Sequence, residues 1–288
     1  MSGLAMPEAP IEPATAEQSA LQDAAPEPAT PGVVETPVPP ETPAQESQSD
    51  SWWDLARILI YALLIALVER TFFFQPYNIP SGSMEDTLLV GDFLFVEKFS
   101  YGYSKYSIPW GRLLPVSGRW LPNDPVRGDV AVFALPSEPS RDFIKRIVGL
   151  PGDRIQMIDD VLYINNRPVP KVRVNDYVED HNGYEHHVAR FRETLPNGKS
   201  YYVLNSDPDA LMRTTPVYVV PAGHYFMMGD NRDDSDDSRG IVGYLPAENL
   251  VGKAEFKFFS IDDRKTHVWT FWKWPWAIRY SRMFTLVD

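Results

Sequence analysis

From residue 79 onward the chain is a series of short apolar runs cut by Gly, Pro and Asp turns, and this pattern limits it to a mainly β fold. Residues 88–96 read as a turn leading into a buried strand. Residues 127–133 repeat that pattern, and residues 143–148 form a strand closed by Gly149-Leu150-Pro151-Gly152-Asp153. Between 154 and 219 shorter runs at 161–164, 201–204 and 217–220 alternate with polar loops. These read as a smaller β unit inserted into the first, to which residues 225–228 return. The expected organisation is a core at 76–153 and 220–288, with an inserted β domain at 154–219. The stretch 101–127, rich in Pro, Gly, Tyr and Trp, reads as an extended surface excursion.

The first part of the chain is different in kind. Residues 1–50 hold ten prolines and no aromatic residue. Such a segment cannot bury enough apolar surface to offset its ordering entropy, so residues 1–51 are expected to be a disordered tail. The net charge of −12 is concentrated there, because residues 1–56 carry ten acids and no base. The remainder is close to neutral, which argues against nucleic acid as a partner. The chain has no cysteine, which excludes disulfides, thiolate metal sites and a cysteine nucleophile.

At 52–75 the composition turns apolar. Residues 55–74 would reach about 30 Å as a helix, enough to cross a bilayer. The uncharged run is only 58–68, interrupted by Arg57, Glu69 and Arg70. Two readings are open: a buried helix of a soluble fold, or one transmembrane anchor. Trp52 and Trp53 at one end, with Phe72, Phe73, Phe74 and Tyr77 at the other, resemble the aromatic belts of a span. The cluster of Trp269, Trp272, Trp274 and Trp276 likewise reads as core or as a membrane-facing surface.

The chemistry centres on Pro80-Ser81-Gly82-Ser83-Met84. A serine attacks well only when a base takes its proton. His181, His186, His187, His224 and His267 show no triad-like local signature. Lys145 shares a strand face with Phe143 and Ile147, apolar neighbours of the kind that depress an amine's pKa. The other reading is a lysine with its tip in solvent. One serine could attack while the second helps hold the oxyanion, Gly82 allowing a tight turn between them. G-x-S-x-G, S-x-x-K and H-E-x-x-H patterns are absent. The polar loop at 229–240 reads as solvated or as a cation site, although the calcium-loop spacing is not met.

Taken together, Pro80–Met84 with Thr87-Leu88, Arg127-Gly128-Asp129-Val130, Lys145-Arg146 with Gly149–Asp153, and Gly229-Asp230-Asn231-Arg232-Asp233 with Ser235 and Asp237-Ser238-Arg239 resemble type I (leader) signal peptidases. The motifs occur in that family's order. The resemblance implies an antiparallel β catalytic domain on one transmembrane helix, at the outer side of the bacterial cytoplasmic membrane. It implies an endopeptidase that removes signal peptides from exported precursors, without metal or other cofactor. By the same resemblance Ser83 is the nucleophile and Lys145 the general base. Ser81 and the Ser83 N–H would hold the oxyanion, and Ser235 would orient the lysine. Asp230 with Arg146, and Asp237 with Arg239, would brace the site. Ile79, Pro80, Met84, Leu88, Phe143 and Ile144 would wall pockets for small side chains. Two alternatives stand beside this: a self-cleaving repressor-type Ser/Lys protease, and a non-catalytic anchored β protein that binds extracytoplasmic partners.

Overall fold

The computed structural model describes residues 48–181, 184–207, 209–262, 272 and 274–287. Nearly all of the expected tail, together with Trp269 and His267, lies outside the described residues. Helix α1, Gln48–Phe72, leads into β1, Phe74–Asn78. Then come β2, Asp92–Glu97; β3, Val130–Leu135; and β4, Glu138–Gly149. Residues 154–219 supply β5, Arg154–Ile158; β6, Val161–Ile164; β7, Arg167–Pro168; and β8, Lys171–Arg173. They continue with β9, Tyr177–His181; β10, Tyr184–Thr194; β11, Ser200–Asn205; and β12, Tyr218–Val219. The chain returns through β13, His224–Met228; β14, Leu245–Pro246; and β15, Leu250–Ser260. It closes with a short helix α2, Trp274–Ala277, and β16, Thr285–Leu286.

The fold is mainly β, and its strand pairs are antiparallel, as expected. The main sheet runs β1-β2-β15-β3-β4-β13-β14, with β16 beside β15. Residues 154–219 form two smaller sheets, β11-β10-β8 with β9 also on β10, and β12-β5-β6-β7.

Strand β3 explains why the run Val130-Ala131-Val132-Phe133 does not alternate: both of its faces are covered. Val130 and Val132 pack with Met84, Leu88 and Val251, whereas Ala131 and Phe133 pack with Tyr101, Ile147 and Met227. A third core joins Val148 and Phe226 of the main sheet to Ile155, Leu162 and Val203 of the insertion. Each fully buried Val or Leu contributes about 1.5–3 kcal/mol, so the insertion and the main sheet depend on one another for burial.

The excursion at 101–127 is tied down rather than merely superficial. Tyr101 is core, and Arg119 donates to the carbonyls of Tyr101, Gly102, Ala247 and Leu250 at 2.5–3.0 Å. The segment expected to span a bilayer is helical, but no helix among the described residues is long and apolar enough to cross a membrane. Its uncharged run, 58–68, is bounded by Arg57 and Glu69.

For the site, the important feature is the free edge of β4. Strand β13 pairs with β4 only from Arg146 to Gly149. Beside residues 141–145, that edge carries no strand among the described residues.

Candidate active site

Residues 80–83, 141–145 and 233–236 converge on one open groove of about 670 Å³. Ser83 lies in a single 3-10 turn, Gly82–Met84, preceded by Ser81 in extended conformation. Lys145 comes from β4, and its Nζ donates to Ser83 Oγ at 2.6 Å. Both residues are buried. The Phe143 ring, centred 5.4 Å from the amine, supplies an apolar wall on the same strand face.

Burial drives the Lys145 pKa down from 10.5 to about 8, while Asp237, Asp236, Asp230 and Asp234 pull it upward. Desolvation is the larger effect because an ammonium loses hydration that carboxylates set further off do not replace. At neutral pH about a tenth of the amine is then in the basic form.

The residues around this pair are held by buried ion pairs. Arg146 grips Asp230 with two nitrogens, at 2.9 and 2.7 Å, and donates to the Gly128 carbonyl at 2.8 Å. Thr87 Oγ1 donates to the same Asp230 carboxylate at 2.5 Å. Asp237 takes Arg239 Nε and Nη2 at 3.0 and 2.7 Å and the Gly229 N–H at 3.1 Å. Gly229 has no alternative there: a Cβ would stand 2.2 Å from Ser235 Oγ and 2.6 Å from the Ser83 carbonyl.

The structure thus brings together Ser81, Ser83, Lys145 and Ser235 on the groove, with Arg146, Asp230, Asp237 and Arg239 directly behind. Ser81 is exposed, and its side chain makes no cap hydrogen bond. Ser235 Oγ is buried and makes no hydrogen bond among the described residues. Of the six expected wall residues, Pro80, Phe143 and Ile144 line the groove. Ile79, Met84 and Leu88 pack behind it as core, since the turn that presents Ser83 directs them into the sheet. None of the described histidines lines the groove.

Several residues without an expected role also hold the site. Asn231 donates its N–H to the Ser83 carbonyl at 3.2 Å and its Nδ2 to the Gly82 carbonyl at 3.3 Å, fastening the polar loop to the serine turn. In the sequence it is marked only by its place inside the 229–233 motif. Glu193, Tyr201 and Arg282 also reach this region from other elements, and no local pattern marks them.

Comparison with known proteins supplies the class. Residues 52–259 match the family model described as signal peptidase, peptidase S26. The chain belongs to that family and is a serine peptidase. A signal peptidase I of Rickettsia akari is 40% identical over 222 residues, covering 75% of this chain and 81% of the relative. One from Rickettsia typhi is 42% identical over 207 residues, covering 69% and 77%. A crystal structure of a signal peptidase I from Enterococcus faecalis is 28% identical, covering 46% of this chain and 97% of that one. Its TM-score is 0.27, at which the likeness says nothing of the fold.

Proposed function

We propose that the protein cleaves signal peptides from precursor proteins, with Ser83 as nucleophile and Lys145 as general base. The 2.6 Å contact between a depressed lysine amine and a serine hydroxyl, on the floor of an open groove, carries this reading. The unpaired edge of β4 at 141–145 suits an extended peptide that adds as a strand and brings its carbonyl to Ser83. Neutral Lys145 takes the Ser83 proton as Oγ attacks. The Ser83 N–H and Ser81 Oγ hold the oxyanion. Lys145 then protonates the leaving amine and activates the water that frees the acyl group. Small side chains would fit beside Pro80, Phe143 and Ile144. Ser235 Oγ, buried without a partner among the described residues, would orient the amine after a side-chain rotation.

We also propose that α1 anchors the chain to the cytoplasmic membrane, with the groove on the outer side. Ile58, Leu59, Leu63, Leu64 and Ile65 are exposed around the whole helix. A helix apolar on every side calls for an apolar surrounding, which lipid provides. Trp52, Trp53, Phe72 and Phe73 would sit at its two rims.

The test is cleavage of a precursor with alanine at the −1 and −3 positions by the detergent-solubilised chain. Cleavage after the −1 residue, lowered at least about 10⁴-fold in both Ser83→Ala and Lys145→Ala, is expected. Undiminished cleavage by either variant would overturn the assignment.

A further inference from the structure

We propose that Glu193 and Tyr201, from the inserted sheet, are positioning residues for the reaction, acting through two buried arginines. This rests on the reading that Ser83 and Lys145 are the reacting pair.

Glu193 on β10 and Tyr201 on β11 face one another in register, and both are buried. The Tyr201 hydroxyl donates to Glu193 Oε2 at 3.0 Å and accepts from Arg232 Nη2 at 3.1 Å. Arg232 grips the Glu193 carboxylate with both terminal nitrogens, Nη1 to Oε1 at 2.9 Å and Nη2 to Oε2. Its Nε donates to the Gly229 carbonyl at 3.3 Å, and its own carbonyl accepts from Arg239 Nη2 at 2.5 Å. On its other side, the Tyr201 ring carries the Arg146 guanidinium, 4.1 Å from the ring centre.

One tyrosine therefore serves both arginines, Arg232 through its hydroxyl and Arg146 through its face. Each arm ends at the reacting pair. Arg146 is next to Lys145 in β4. Arg232 holds residues 229–232, whose Asn231 fastens the Ser83 turn. Leu204, at the end of β11, reinforces that loop by donating to the Asp230 carbonyl at 2.9 Å and accepting from the Arg232 N–H at 3.0 Å.

Stability alone is a poor reason for such a network, since well-packed apolar residues of similar volume usually do as well as a buried ion pair. What the network supplies is direction: a bidentate carboxylate and a stacked ring fix a guanidinium in position and in plane. Burial and the nearby Glu193 push the Tyr201 hydroxyl well above its ordinary pKa, so it stays a donor throughout the working range. The insertion is thus part of the scaffold that aligns the nucleophile and base.

The experiment compares the full chain with Tyr201→Phe, Tyr201→Leu and Glu193→Gln on the same precursor, below each variant's thermal midpoint. Per folded molecule, kcat is expected to fall about 10-fold or more in Tyr201→Phe and Glu193→Gln, and further in Tyr201→Leu. KM should stay within about twofold. A merely structural role would lower the midpoint and leave kcat per folded molecule unchanged, and that result would overturn the inference. Should Glu193→Gln fail to fold, Tyr201→Phe, which deletes one oxygen, decides the matter. Wild-type cleavage that survives Ser83→Ala would defeat the nucleophile assignment itself and this inference with it. Cleavage abolished by Ser83→Ala, with Tyr201→Phe at wild-type kcat, would defeat this inference alone.

Discussion

Arg282 holds Asp92 with two nitrogens, Nε at 3.2 Å and Nη2 at 2.6 Å, and the same Nη2 donates to the Thr87 carbonyl at 2.9 Å. The end of the chain is thereby fastened to the turn that follows the serine. Thr87 in turn donates to Asp230, so the C-terminal segment touches the frame around Lys145. The Asp92 carboxylate is fully buried and also accepts from Ser260 Oγ at 2.6 Å. Removing the guanidinium by Arg282→Gln leaves that carboxylate undercompensated. About 3 kcal/mol of lost stability is expected, measured by urea unfolding.

Activity should rise with pH through about 8 as Lys145 loses its proton. Asp236 and Asp234 both raise the amine's pKa, so Asp236→Asn should lower it and move the rising limb to lower pH. Added salt should act in the same direction by screening these exposed acids. The pH profile of kcat/KM for wild type and variant at low ionic strength, and for wild type with added salt, checks both.

The same amine opposes folding. Its pKa is about 8 in the folded protein and near 10.5 when unfolded, so between those values the unfolded chain binds the extra proton. The penalty is present in full below about pH 8 and disappears above 10.5. Lys145→Met should melt at a higher temperature than wild type at pH 7, the gap closing from pH 8 to 10.5. Thermal melts across that range measure it, and a gap that widened would count against a desolvated lysine.

Gly229→Ala places a methyl group against a backbone oxygen that cannot retreat without moving the Ser83 turn. About 1–3 kcal/mol of destabilisation and a kcat loss of about 100-fold are expected. At Gly240 the nearest atom to an added Cβ is 3.9 Å away, so Gly240→Ala should be close to neutral. Unfolding curves and steady-state kinetics of the two variants make the comparison.

Ile60→Glu with Leu64→Glu tests the anchor. Both positions are exposed, so the β domain should fold unchanged. Each buried charge would cost about 2.5–3.5 kcal/mol in a bilayer centre. The full chain should float with phospholipid vesicles and the variant should remain at the bottom of the gradient.

Much of this was legible in the residues. Runs such as 130–133 and 225–228 announce strands because burial on a sheet demands contiguous or alternating apolar side chains. Lys145 between Phe143 and Ile147 declared its apolar face before any partner was visible. Harder to read were features set by register. Glu193 and Tyr201 belong to ordinary strand segments, and only the pairing of β10 with β11 puts them opposite one another and beneath Arg232. Similarly, 58–68 shows an apolar helix, while its chain neighbours do not tell what surrounds it.

The sequence by itself determined the mainly β, antiparallel class and the family, because local pattern and linear motif order suffice for these. The tertiary structure alone decided that Ser83 and Lys145 meet at hydrogen-bonding distance, since they lie 62 residues apart. It also decided that no described strand pairs with the β4 edge beside them, and that Arg146 and Arg232 share one tyrosine. Those relationships depend on strand register and on how the sheets share their cores, which arise only when all the strands are packed at once.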